Sequence, residues 1–174
     1  MTAPEVWLRG PVPGVEPLLQ PVAHALVQVR EDLPRLLEAL TAEHVWASPG
    51  GSAPIGFHAA HLAGALERLV TYARGAELSD EQREALRAET HLAHATERPD
   101  GAALAVRVED AIEAALHDVA KFRDAELLDA REVGRARLPA NVLGLLFHAA
   151  EHTTRHAGQI RTLARVLAGA SPGA

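Results

Sequence analysis

In HAAEHTTRHAGQI, residues His148 to Ile160, histidines recur at 148, 152 and 156 inside a segment with the periodicity of a helix. Residues four apart on a helix share one face, with about 6 Å of axial rise between them. Two imidazoles so placed can point at one cation, the spacing that metalloprotease helices exploit. All three cannot, because His148 and His156 are separated by roughly 12 Å of rise. The stretch therefore offers one chelating pair, and a further ligand must come from another element. At roughly 100° per residue, Val142, Leu145, Ala149, Ile160, Leu163 and Leu167 form a single apolar stripe. His156 falls almost at its centre, His152 within about 60° of it, and His148 at its margin. That order selects His152 and His156 as the inward pair. Burying two imidazoles in an apolar stripe is unfavourable without partners, so a metal or a polar network belongs beside them.

Working outward, this helix is expected from Pro139 to about Leu167, and three others share its period. The first spans about 16–40 on Leu19, Val22, Leu26, Val29, Leu33, Leu36 and Leu40, with Pro34 as an expected kink. The second spans about 54–74, opened by Pro54 and stopped by Gly75. The third starts near Asp100 and carries Leu104, Val108, Ile112, Leu116, Val119 and Phe122. Between the second and third, Ser79 and Gln82 have the spacing of a capping box and open a short polar helical segment. Residues 41–54 and the REVGRARL stretch read as loops, the latter with a possible short extended piece. The fold class expected is all-α, a four-helix bundle with that extra short helix, in one domain over 1–174. Residues 1–14 form an irregular lead-in and 169–174 a frayed tail.

The composition agrees. A chain of 174 residues can bury one sizeable core, and 48% hydrophobic with 23% charged residues is ordinary for a globular protein. A net charge of -6 argues against a nucleic-acid partner. No apolar run is long enough to span a membrane, and the N-terminus lacks the basic start and apolar run of a signal peptide. A cytoplasmic location is therefore expected. With no cysteine there is no disulfide, thiolate ligand or cysteine nucleophile.

The second helix, IGFHAAHLAGALERL, supplies the other histidines, His58 and His61. Its apolar stripe is Ile55, Leu62, Leu66, Leu69 and Ala73, and His58 lies nearer the centre of it than His61. His61 heads a separate stripe with Ala65, Arg68 and Tyr72, the look of a helix edge lining a groove. On the residues alone, either histidine could face the pair from the last helix.

These two motifs, HLAGALER and EHTTRHAGQI, together with Trp46 and the PGG loop, resemble the DinB/YfiT-like metalloprotein superfamily over nearly the whole domain. The resemblance implies a four-helix bundle with a three-histidine metal site. It places the ligands at His61, His152 and His156, overruling the wheel on the second helix. His58 and Gln159 are then supporting groups, and Arg68 and Tyr72 candidates for holding an anionic substrate. His148 is expected at the rim. His24, His44, His91, His94 and His117 are expected on solvated faces, as is the acidic group Glu126, Asp129 and Glu132.

Three neutral imidazoles suit zinc, nickel, iron or manganese as the divalent cofactor. Three protein ligands leave positions open, as in catalytic rather than structural sites. The resemblance implies an enzyme that activates a low-molecular-weight thiol or a water, in the manner of a thiol S-transferase or a hydrolase. No catalytic side chain is evident in the sequence. The alternative is a non-catalytic, stress-associated metal-binding bundle acting through a ligand or partner. The expected partners are a small-molecule substrate and a second copy in a homodimer, with no nucleic acid and no membrane.

Overall fold

Leu19, Val22, Leu26, Val29, Leu33 and Leu37 recur at three- and four-residue steps, and all are buried. That stripe winds Gln20–Glu38 into the amphipathic helix α1 in the computed structural model, which describes residues 4–170. α1 starts later than expected because Pro17–Leu19 closes a 3-10 turn ahead of it. The helix continues through Pro34, and Leu37 takes the core position expected of Leu36, which is only half-buried. The lead-in also holds a short 3-10 turn, Val6–Leu8, while residues 1–3 and the expected tail at 171–174 lie outside the described residues.

The stretch read as a loop before Pro54 contains a further short helix, α2, Ala42–Trp46. Thr41 caps it, its hydroxyl accepting from the His44 amide at 3.2 Å. α3, Ile55–Ala73, ends as expected at Gly75, whose φ of 74° is open to glycine. There the Gly75 amide donates to the Tyr72 carbonyl and the Ala76 amide to the Thr71 carbonyl, at 2.9 and 3.1 Å. α4, Asp80–Glu89, opens with the Ser79–Gln82 capping box formed in both directions. α5, Gly101–Val119, is capped by Asp100, whose carboxylate accepts from the Ala103 amide at 2.8 Å. Phe122 lies beyond its end yet stays buried.

The all-α expectation needs one correction. Residues 130–141 form an antiparallel hairpin, β1 Ala130–Val133 and β2 Leu138–Asn141, with Ala130 opposite Asn141 and Val133 opposite Leu138. Pro139, expected to open the last helix, lies in β2. The hairpin is closed by Gly134, with φ of 66°, and the Arg137 amide donates back to the Gly134 carbonyl at 3.0 Å. α6, Val142–Ala170, begins only after Asn141, whose side chain accepts from the Gly144 amide at 2.7 Å.

The chain is therefore mostly helical with one small sheet. α3 packs against α5 and α6, and α1 against the same two helices, so each of the four long helices buries its stripe against two others. α4 lies along α3, and β1 touches α3 while β2 touches α6. No described helix is long and apolar enough to cross a membrane.

Candidate metal centre

Packing α6 on α3 brings His152 and His156 up against His61. One ring nitrogen from each of the three lies within 4.8 Å of the others, a spacing that could hold a metal ion. The ring centroids of His152 and His156 are 4.4 Å apart, and those of His61 lie 5.1 and 5.0 Å from them. His61 and His152 are half-buried and His156 is buried, so the cluster sits at the edge of the core with one side toward solvent.

Two of the three rings are oriented from behind. The Nδ1 of His61 is 2.9 Å from Glu89 Oε2, which leaves Nε2 as the free lone-pair donor. Phe57, one turn earlier on α3, stacks on the His61 ring at an interplanar angle of 4°. The Nδ1 of His156 is 3.0 Å from the Nδ1 of His58, so one donates and the other accepts, and His156 Nε2 is likewise left free. His58 is thus a supporting group, at the buried centre of its stripe where the helical wheel put it. The Nδ1 of His152 is buried and has no hydrogen-bond partner among the described residues.

Burial first, and then the neighbouring imidazoles, push His152 down to about 4 and His156 to about 3. Burial and the His61 charge lower His58 as well. These rings are neutral at pH 7 and present lone pairs, the state a cation requires. An unpartnered buried nitrogen, neutral rings and two pre-oriented neighbours are what a divalent metal fits.

The residue missing from the sequence reading is Glu89. It ends α4, is only 5% exposed, and lies between His61 and Arg68. Arg68 grips it with both terminal nitrogens, at 2.6 Å to Oε1 and 3.2 Å to Oε2. Burial raises the Glu89 carboxyl pKa, but the hydrogen bonds from His61 and Arg68 outweigh it and hold the group below its ordinary range. The carboxylate can come this close because residue 64 is glycine: a Cβ there would collide with Glu89 Oε1 and lie 2.8 Å from Arg68 Nη1. A glycine in a helix interior is the one signal that could have pointed to this contact. The pairing itself spans 28 residues and leaves no periodic trace.

Arg68 therefore does not offer a free guanidinium to a substrate. The stripe expected to line an open groove is covered by α4, and Arg68 is 8% exposed beneath it. Tyr72 is half-buried at the far end of α3 and lines a different cavity, about 16 Å along the helix from His61. Gln159 is exposed and makes no hydrogen bond among the described residues, so it does not support the cluster. His148 stands at the rim as expected, exposed and 3.6 Å from Glu151. His91 and His117 are exposed, and His24 and His44 half-buried, with His24 bonded to the Gly10 carbonyl at 2.9 Å. The His94 side chain lies outside the described residues. Glu126, Asp129 and Glu132 are exposed.

A crystal structure of a conserved protein from Enterococcus faecalis has a similar fold. Its TM-score is 0.58 at 15% identity, covering 87% of this chain and 97% of that one. No curated protein matches the chain in sequence. The family model of the DinB superfamily matches residues 25–160, a span that takes in α3, α4 and all three clustered histidines, and the chain belongs to that superfamily.

Proposed function

We propose that this protein is a DinB-like four-helix bundle that binds one divalent metal through His61, His152 and His156, and that it is a metal-dependent enzyme acting on a low-molecular-weight thiol or on water. The observation that carries this reading is the convergence of three imidazoles within 4.8 Å, two of them oriented from behind by Glu89 and His58. Zinc, nickel, iron and manganese all suit such a donor set. When bound, the metal supplies Lewis acidity that lowers the pKa of a thiol or water at its open positions. The chain's own contribution is to hold the three rings. Glu89 fixes the His61 ring, Arg68 fixes Glu89, and His58 fixes His156. No side chain here is assigned to proton transfer.

A second reading, a non-catalytic metal-binding bundle, draws on a different observation. Two cavities among the described residues lie elsewhere, one beside Tyr72 and the hairpin and one beside Trp7, His24 and Thr154.

Metal analysis of the purified protein tests the common core of both readings. Near-stoichiometric metal is expected in the parent and in His148→Ala, and none in His152→Ala. Equal loss in both variants means that the chelating pair is misassigned. Conjugation of electrophiles to small thiols, lost with a chelator and restored by divalent metal, then separates enzyme from binding module. Full turnover by verified metal-free protein rules out the metal-dependent mechanism.

A further inference from the structure

Arg83, Leu86 and Arg87 lie three and four residues apart on one face of α4, where they form a wall of an open groove of about 1290 Å³. The other walls are the end of α3 with the turn that follows it, and the β1–β2 hairpin, which brings Arg131, Arg135 and Arg137. Five arginines thus face a single groove against two acids, Glu77 and Glu132. The chain as a whole carries a net charge of -6, so this concentration of positive charge runs against its average. Guanidinium groups crowded together repel one another, and an anion between them relieves that repulsion.

Some of these side chains are already fixed in place. Arg131 donates from Nε to the Ala73 carbonyl and from Nη1 to the Ala130 carbonyl, at 2.8 and 2.9 Å. Arg83 donates to Asp80 at 2.8 Å and also to the Leu78 carbonyl. Arg137 is paired with Glu132. The guanidinium groups of Arg87, from α4, and Arg135, from the hairpin turn, make no hydrogen bond or ion pair among the described residues, and both residues are exposed. Tyr72 and Leu86 add apolar surface to the same groove, Leu86 being 41% exposed.

We propose that this groove is a binding site for a small polyanion carrying two or more linked phosphates, with an organic part resting on Tyr72 and Leu86. The guanidinium fork matches phosphate oxygens two at a time, and unpaired forks from two separate elements suit a ligand with several such oxygens. The site is distinct from the histidine cluster, since Tyr72 is about 16 Å along α3 from His61. It stands whether or not the chain is a metalloenzyme.

The test is calorimetric titration of the purified protein at physiological ionic strength with two probes, sodium tripolyphosphate and ATP. Both should bind saturably. Arg87→Ala with Arg135→Ala should weaken both by roughly tenfold or more, because hydrogen bonds to charged groups are lost. His152→Ala, which removes the metal pair, should bind both probes as the parent does. ATP should bind more tightly than tripolyphosphate, and Tyr72→Ala should remove that advantage. The proposal is overturned by absence of saturable binding for both probes, by unchanged binding in the double arginine variant, or by loss of binding in His152→Ala. ATP binding no more tightly than tripolyphosphate overturns the role given to Tyr72 and Leu86.

Discussion

The two sides of the histidine cluster are held by different physics. On the α6 side, His152 and His156 come from consecutive turns of one helix, and their ring centroids lie 4.4 Å apart because the helix pitch puts them there. On the α3 side, His61 is oriented by Glu89 from another helix, and Glu89 in turn by Arg68. The first arrangement exists as soon as α6 forms. The second exists only while α4 is docked on α3 and a buried ion pair is intact. Disturbance of the protein should therefore reach the cluster through His61 before it reaches the α6 pair.

The largest effect is expected from Arg68→Ala. Removing one partner of a buried ion pair leaves the other charge uncompensated, which costs about 3–5 kcal/mol. Urea denaturation should show that loss, and metal affinity should fall with it because Glu89 no longer has a fixed position. Arg155→Ala, which breaks an exposed pair with Glu151 on α6, should change stability by less than about 1 kcal/mol. Equal losses in the two variants would show that burial of the Arg68–Glu89 pair has no special weight.

Acid should act on both sides together. In the metal-free protein His152 and His156 have values near 4 and 3, below the value near 6.5 of an unfolded histidine. Between these values the unfolded chain binds more protons, so stability is full above about pH 6.5 and is lost as pH falls toward 4 and then 3. The lowered Glu89 carboxyl acts in the same direction at the acid end. Burial is the largest cause of both shifts; His58 and His61 from α3 and His148, His152 and Arg155 from α6 add to it, and Glu151 opposes it. Melting temperatures of metal-free protein should decline from pH 7 to pH 4, and the decline should flatten in His152→Gln/His156→Gln. A profile as steep in that variant as in the parent would mean that other groups carry the acid sensitivity.

How much of this was legible in sequence follows the same division. Four helical stripes, the Ser79 capping box and the Gly75 stop depend on near neighbours; the box and the stop form at the predicted residues, while α1 and α6 start later than the spacing predicts. The α6 histidines are legible for the same reason. The hairpin shows in sequence only as a short extended piece within REVGRARL, because four-residue strands have too few alternations to show a period and Pro139 imitates a helix start. On α3 the wheel treats every face as if it met either core or solvent. It has no way to represent α4 lying over the His61–Arg68 edge, so Arg68 reads as a ligand-binding residue although it is buried against Glu89.

Glu89→Gln sharpens the comparison at closer range. The side chain keeps its shape and loses its charge, so His61 keeps a hydrogen-bond acceptor but a weaker one. Groups that orient a metal-ligating histidine typically change affinity by about 10–100-fold when replaced. A competition titration against a metal indicator should find a loss in that range, and Gln159→Ala, on the exposed face of α6, should find none. Affinity unchanged within about twofold in Glu89→Gln would leave His61 held by packing on Phe57 alone.

The smallest expected effects come from two glycines, each within a helix, one on either side of the cluster. Gly64 on α3 has no space for a methyl group, since a Cβ would collide with Glu89 and lie 2.8 Å from Arg68 Nη1. Gly158 on α6 has nothing within 4 Å of the same added atom. Gly64→Ala should therefore destabilise by about 1–3 kcal/mol through overpacking, and push the carboxylate that orients His61 out of line. Gly158→Ala should stabilise by up to about 1 kcal/mol, because alanine is the better helix former and restricts the unfolded chain. Chemical denaturation of the two variants beside the parent reads both signs in one experiment. The opposite signs follow only if α4 really packs Glu89 against residue 64, so stabilisation by both substitutions would remove Glu89 from the centre and leave the α6 pair as its only fixed part.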